Sequence, residues 1–340
     1  MKTASSLFAV FIVGLWTYGF SASQLLADCG EGEAVGINSA GTVIGPGFIR
    51  ARDGSISYLT APGIGGLGAS AINPAGEITG YYYDKTGNPN VAHGYVRTPD
   101  GAITSFDAPG APQTLPQAIN ASGGVAGYTS SGNSPEHAFV RTPSGEIQVF
   151  DVGEGRTYAV GIDSTGAVAG DCTILDESGR PRTRGFIRSA DGSITLIQVP
   201  GSSGTSISAM APNGIIVGSY QGDPRGFFIR SPSGVFTTFE LAEDYFPYAA
   251  ATDVNSAGSV VGYYFSPPDY LGHGFVRDRD GNIEIFDVPG YNGVNRPLSI
   301  NAQGEIAGSA YIGTGECAGL ERAFIRSPKG EFTTFEVPAP

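Results

Sequence analysis

A triplet of an aromatic residue, an apolar residue and arginine returns seven times along this chain, and it constrains the fold more than any composition does. The copies are Phe48-Ile49-Arg50, Tyr95-Val96-Arg97, Phe139-Val140-Arg141, Phe186-Ile187-Arg188, Phe228-Ile229-Arg230, Phe275-Val276-Arg277 and Phe324-Ile325-Arg326. Their arginines follow one another at intervals of 47, 44, 47, 42, 47 and 49 residues. Self-similarity at such a period marks arrays whose single units cannot bury an apolar face alone.

Two turns frame each copy. Upstream stands an Ile-Asn-x-x-Gly element, as Ile37-Asn38 to Gly41, Ile72-Asn73 to Gly76, Ile119-Asn120 to Gly123 and Ile162-Asp163 to Gly166. It continues as Met210-Ala211 to Gly214, Val254-Asn255 to Gly258 and Ile300-Asn301 to Gly304. Asn or Asp opens a tight turn by bonding the backbone ahead of it, and Gly takes the place with positive φ. A short apolar strand ending in Gly follows, such as Glu77-Ile78-Thr79-Gly80. Downstream lies an Asp-Gly turn, as in Thr98-Pro99-Asp100-Gly101, a strong hairpin signal between apolar runs. A last strand closes in Phe-Asp, as in Phe106-Asp107 and Phe286-Asp287.

Four short strands in about 45 residues, seven times over, predict an all-β chain folded as a seven-bladed β-propeller. The repeats fall at approximately 34–66, 67–113, 114–155, 156–203, 204–246, 247–293 and 294–340. A sandwich does not repeat its sequence in this way, and a solenoid, the runner-up, uses fewer strands per turn. With 52 Gly and 23 Pro among 340 residues, long helices are disfavoured.

Small residues lead into the Asn turn, as in Gly68-Ala69-Ser70-Ala71 and Tyr248-Ala249-Ala250-Ala251, so this first strand is placed innermost, where blades crowd the axis. The two tight turns then share one face, a scaffold. The other face carries the loops between second and third strands, which run from Gly45-Pro46 to the long Tyr81–Ala92 and Asp171–Thr183. Loops that vary over a fixed scaffold are where function usually sits.

Residues 1–27 read as a secretory signal: Lys2, then an uncharged run from Leu7 to Phe20, then Ser21-Ala22-Ser23, with cleavage near 23–27. The mature chain, 28–340, is expected to be monomeric, to contain no integral membrane segment, and to be secreted or periplasmic. A net charge of −13, with only three lysines among 19 cationic residues, argues against nucleic acid as a partner. Three cysteines cannot all pair. Ring closure makes the first and last repeats neighbours and puts Cys29 and Cys317 on the same face, so a Cys29–Cys317 disulfide is expected, with Cys172 free.

The elements His137-Ala138-Phe139, His93-Gly94-Tyr95 and His273-Gly274-Phe275 resemble those of the HAF-repeat family, predicted extracellular repeat proteins of bacteria. Arg322-Ala323-Phe324 and Arg184-Gly185-Phe186 depart from the pattern at the first place. The resemblance spans about residues 34–340. It implies an exported, propeller-like bacterial protein and carries no activity or catalytic residue with it.

All three histidines hold one repeat position, across a hairpin from the Phe-Asp element. His93 is therefore expected to face Asp107, His137 to face Asp151, His273 to face Asp287, and Arg322 to face Glu336; Arg184 falls opposite Gln198. A catalytic dyad occurs once, whereas this pair recurs and admits arginine, which is no general base. The pairs are read as structural cross-strand charges, and no catalytic residue is assigned. The seven arginines, with Asp53, Asp100, Asp191 and Asp280 in reach, are read as structural too. A ring of Asp107, Asp151, Glu240, Asp287 and Glu336 could gather Ca²⁺ only if these acids were free of their own blades, and no calcium-loop spacing supports it. No metal or other cofactor is expected. What breaks the repeat carries more weight. Tyr82 and Tyr83, Tyr264, and Asp244 with Tyr245 are aromatic and acidic positions suited to stacking on sugars and accepting their hydroxyls. They suggest a non-catalytic binding module for a glycan or protein. The alternatives are a carbohydrate-active or lactone-hydrolysing enzyme with carboxylates near the axis, and a structural envelope component.

Overall fold

The computed structural model describes residues 32–61, 66–84, 91–132, 135–241, 249–266, 271–312 and 320–337. The signal segment, Cys29, Cys317, Asp244 and Tyr245 lie outside them. The described strands, 28 in number, run in chain order as seven antiparallel units of four. Five units are separate sheets. The second and third join into one eight-stranded sheet through a single parallel bridge, Ala92 to Gln113. Strand boundaries follow the repeats, except that Gln113–Ile119 begins one residue early. The chain is an all-β propeller.

The apolar core is divided among the contacts between units. Among the described residues, seven buried clusters each join two neighbours. One holds Ile44 and Leu59 of the first unit with Leu67, Ile78 and Tyr95 of the second. Another holds Ala307 and Ala323 of the last with Ala34, Val43 and Phe48 of the first, closing the ring. The aromatic residue of every triplet is fully buried in these layers: Phe48, Tyr95, Phe139, Phe186, Phe228, Phe275 and Phe324. A unit without neighbours would expose these rings, which is why the sequence must repeat.

The arginine that follows serves the same joints. Arg50 lies over Phe335 of the last unit at 4.7 Å, Arg141 over Phe106 at 5.0 Å, Arg188 over Phe150 at 4.9 Å and Arg277 over Phe239 at 5.1 Å. These four guanidiniums, and Arg326 over Phe286 at 4.9 Å, cap the outer-strand ring of the preceding unit, whereas Arg230 lies over Phe236 of its own unit at 6.0 Å. The arginine Nη1 also donates to the turn carbonyl just beyond it, as Arg277 does to Asp278 at 3.0 Å.

A belt of amides runs around the axis. The Asn38 side chain donates to the Asn73 carbonyl at 3.3 Å, Asn73 to Asn120 at 3.0 Å and Asn120 to Asp163 at 2.9 Å. Asp163 has no amide to give, and the Ser164 N–H donates to Pro212 instead. Asn213 then reaches Ser256, Asn255 reaches Asn301, and Asn301 returns to Asn38 at 3.0 Å. The turn asparagine therefore has two tasks. Its Oδ1 holds its own turn, and its Nδ2 holds the next unit. Asn301, 4% exposed, also accepts from Gln303 and Glu305 N–H. Replacing it by Ala orphans buried groups at the ring seam and should cost about 2 kcal/mol, read by denaturant unfolding; a loss below about 0.5 kcal/mol would count against the belt as a closure element.

Inner strands bulge. In six units the pairing of first with second strand skips one residue: Ser70, Gln117, Val160, Ser208, Thr252 and Leu298. Extra residues of this kind sharpen twist and redirect a side chain. Here all six line an axial cavity of about 430 Å³ that ends at exposed turn residues such as Pro74, Pro212 and Ser256. The cavity opens on the tight-turn face, which the sequence assigns to scaffold.

Candidate functional site

The charged pairs form as expected. His93 Nδ1 lies 2.8 Å from Asp107 Oδ1, His137 Nδ1 2.6 Å from Asp151 Oδ1 and His273 Nδ1 2.8 Å from Asp287 Oδ1; Arg322 pairs with Glu336. Arg184 departs from its expected partner and donates to the Ser203 carbonyl at 2.9 Å, while Gln198 donates to Ser202. The same imidazole–carboxylate geometry on three units is that of a blade-closing contact. Among the described residues no three His, Cys, Asp or Glu side chains converge as a metal site would require.

The tyrosines divide by strand parity. Successive side chains of a strand point to opposite faces. Tyr82 therefore lies on its own unit, with its ring 5.2 Å from His93 and its hydroxyl donating to Ser105 at 2.9 Å. Tyr264 repeats this on His273, also at 5.2 Å, and is buried in the core at 4% exposure. Both rings pack on their own blade; Tyr264 is buried away from any ligand, whereas Tyr82 stays half-buried against His93. Tyr83, by contrast, is 49% exposed. Its neighbour of like parity, Tyr81, meets it edge-on at 5.7 Å.

Tyr81 in turn lies near Tyr128 of the third unit, and Tyr128 stacks on Tyr158 of the fourth at 3.7 Å, with 26° between ring planes. Tyr81, Tyr128 and Tyr158 are half-buried. Burial raises the Tyr158 hydroxyl above the usual phenol range, aided by a hydrogen bond with Tyr128 and by Glu136, so it stays a neutral donor and acceptor. The place after the second-strand glycine holds Tyr81, Tyr128, Asp171, Ser219, Tyr263 and Ser309 in successive units. Among the described residues, the second to fourth units alone assemble a four-ring band. Sequence reasoning weighed Tyr82 and Tyr83 as one run and passed over Tyr128 and Tyr158. The signal that could have found them is the alternation along Tyr81-Tyr82-Tyr83.

Two acids stand apart from the repeat. Asp171, 9% exposed, accepts from Ile207 N–H at 2.7 Å and from the Ser206 hydroxyl, tying the fourth unit to the fifth. Asp253 accepts from Ile300 N–H and Val254 N–H, both at 2.8 Å, tying the sixth to the seventh. Desolvation raises each carboxyl to about 6. An unfolded Asp titrates near 3.8, so between pH 4 and 6 the folded chain binds the extra protons, and stability rises as pH falls through that window. The gain should be on the order of 1–3 kcal/mol for each acid, fully present near pH 4 and lost above about 6. Urea unfolding at pH 4.5 and 7 checks it; equal stability, or more at pH 7, would contradict it. Beside Asp171, Cys172 is free and buried, and burial followed by the Asp171 charge raises its thiol to about 12.

No family model matches this chain, and no curated protein matches it in sequence. Solved structures match in shape. A virginiamycin B lyase from Staphylococcus aureus aligns at 15% identity over 91% of this chain and 96% of its own, with a TM-score of 0.53. The β-propeller domain of the Trilobed protease from Pyrococcus furiosus aligns at 10% identity over 91% and 100%, with a TM-score of 0.61. A puromycin hydrolase aligns at 11% identity over 95% of this chain and 56% of its own, with a TM-score of 0.62. At these identities the likeness establishes the β-propeller fold alone.

Proposed function

We propose that the protein is an exported, seven-bladed propeller of the HAF-repeat kind that binds a neutral glycan on its variable-loop face and catalyses no reaction. One observation carries this: Tyr81, Tyr83, Tyr128 and Tyr158 gather across three neighbouring units, whereas the sixth unit repeats only the edge-on pair, as Tyr263 with Phe265 at 5.8 Å. A sevenfold scaffold does not need such a band, because the place of Tyr81 and Tyr128 is filled by Asp171, Ser219 and Ser309 in other units and is aromatic again only at Tyr263. Flat rings with phenol hydroxyls suit the apolar face and the rim hydroxyls of a sugar. The charge of −13 disfavours an acidic glycan.

The enzyme alternative finds less support. Each histidine is engaged in a repeated pair, and among the described residues Asp253 is the only acid lining the axial cavity. A glycosidase works with two carboxyls about 5–10 Å apart across one cleft. The lyase and hydrolase among the fold neighbours lend no site residue at such low identity. A screen of neutral oligosaccharides against the mature chain tests the proposal by thermal shift, since a ligand of the folded state raises the melting temperature. At least one glycan should stabilise the chain without being turned over. Silence across the panel, or turnover of the glycan, would refute the proposal.

A further inference from the structure

The axial cavity lies at the end of the molecule opposite the tyrosine band, and its wall is nearly sevenfold. At the place just before the residue that precedes the turn asparagine, successive units carry Gly36, Ala71, Ala118, Gly161, Ala209, Asp253 and Ser299. Asp253 is the exception in charge and, among the described residues, the only charged one in the lining. Protein encloses its carboxylate, yet the side chain is only half-buried because one edge borders the cavity. Among the described residues it has no ion-pair partner; the groups acting on it are the Ile300 and Val254 N–H groups and the Ser299 hydroxyl.

We propose that the axial cavity takes a small organic molecule bearing one protonated amine, with the Asp253 carboxylate as its counter-ion. A buried charge is retained at large cost unless it is paired. Near neutral pH this carboxylate is mostly ionised, and among the described residues of the wall it has hydrogen-bond donors but no cation to offset its charge. A bare divalent ion fits poorly, because it wants six to eight oxygens, and this lone acid already accepts from three donors. An ammonium needs one carboxylate and a few neutral acceptors, which Ser70, Gln117 and Ser208 can supply. The remaining walls, Ile72, Val160 and Leu298 among them, would take an apolar body. A volume of about 430 Å³ falls within the range of small-molecule pockets.

Calorimetric titration of the mature chain at pH 7.5 with butylamine, phenethylamine and cyclohexylamine, each against its matched alcohol, tests this. The amines should bind at least tenfold more tightly than the alcohols, and Asp253→Asn should remove that preference. If the variant does not fold, the wild-type chain still decides. The amines stay protonated well above neutrality, and no charged side chain acts on Asp253, so amine affinity should fall at least tenfold from pH 7.5 to 4.5 as the carboxyl protonates. Equal binding of alcohols, unchanged binding by Asp253→Asn, a flat pH profile or silence across the amine panel would each overturn the proposal. Tyr128→Ala should leave the amine titration unchanged, which separates this site from the glycan face.

Discussion

Replacing Gly218 by Ala should destabilise the propeller by about 3 kcal/mol or more, although it adds a single methyl group to a strand. Gly218 ends the second strand's apolar run and lies opposite the inner-strand bulge of its unit. A Cβ there would overlap the Ser206 carbonyl oxygen and come within 2.8 Å of the Phe228 ring. Neither neighbour can yield cheaply. The carbonyl belongs to the inner-strand backbone, and Phe228 is fully buried. The equivalent glycines of the other units, such as Gly80 and Gly170, face inner-strand carbonyls in the same way. Gly110→Ala is the control. It has a φ of +86° with nothing within 4 Å of an added Cβ, so only backbone strain of about 1 kcal/mol is expected. Urea unfolding of both variants separates close approach from φ. If Gly218→Ala were no worse than Gly110→Ala, the bulge would not be what selects glycine.

The second large effect is expected in binding. Tyr128→Ala should weaken the glycan found by screening by about 10- to 100-fold, since an aromatic stacking contact is worth roughly 1–3 kcal/mol. Tyr128 is the joint of the band, stacked on Tyr158 and near Tyr81, so its loss also frees both neighbours. Tyr128→Phe keeps the ring and should retain most of the affinity. Tyr83→Ala, at an exposed position, should weaken binding without lowering the melting temperature. Tyr264→Ala should do the reverse, because that ring is buried in the core. Unaltered glycan affinity in Tyr128→Ala would remove the band from the binding site.

Much of the architecture was open to reading before any coordinate. The triplet, the Asn turn and the Asp-Gly turn are local signals, each tied to a backbone requirement, and their sevenfold return implies shared joints between units. The His–Asp and Arg322–Glu336 pairs were legible for the same reason: hairpin register converts a fixed spacing into a cross-strand contact. Arg184 escaped because a carbonyl outside its hairpin was a better acceptor than Gln198.

The chain order of residues thus carried the unit, its strands, its turns and its internal pairs, because all of these depend on neighbours within about 45 positions. The rest required closure of the ring. Tyr128 and Tyr158 are 30 residues apart and stack only because successive blades lie side by side. Asp253 looks like any strand residue until the bulges and seven inner strands enclose a cavity around it. The turn asparagines announce their turns locally, but the belt from Asn301 to Asn38, across 263 positions, exists only in the closed molecule.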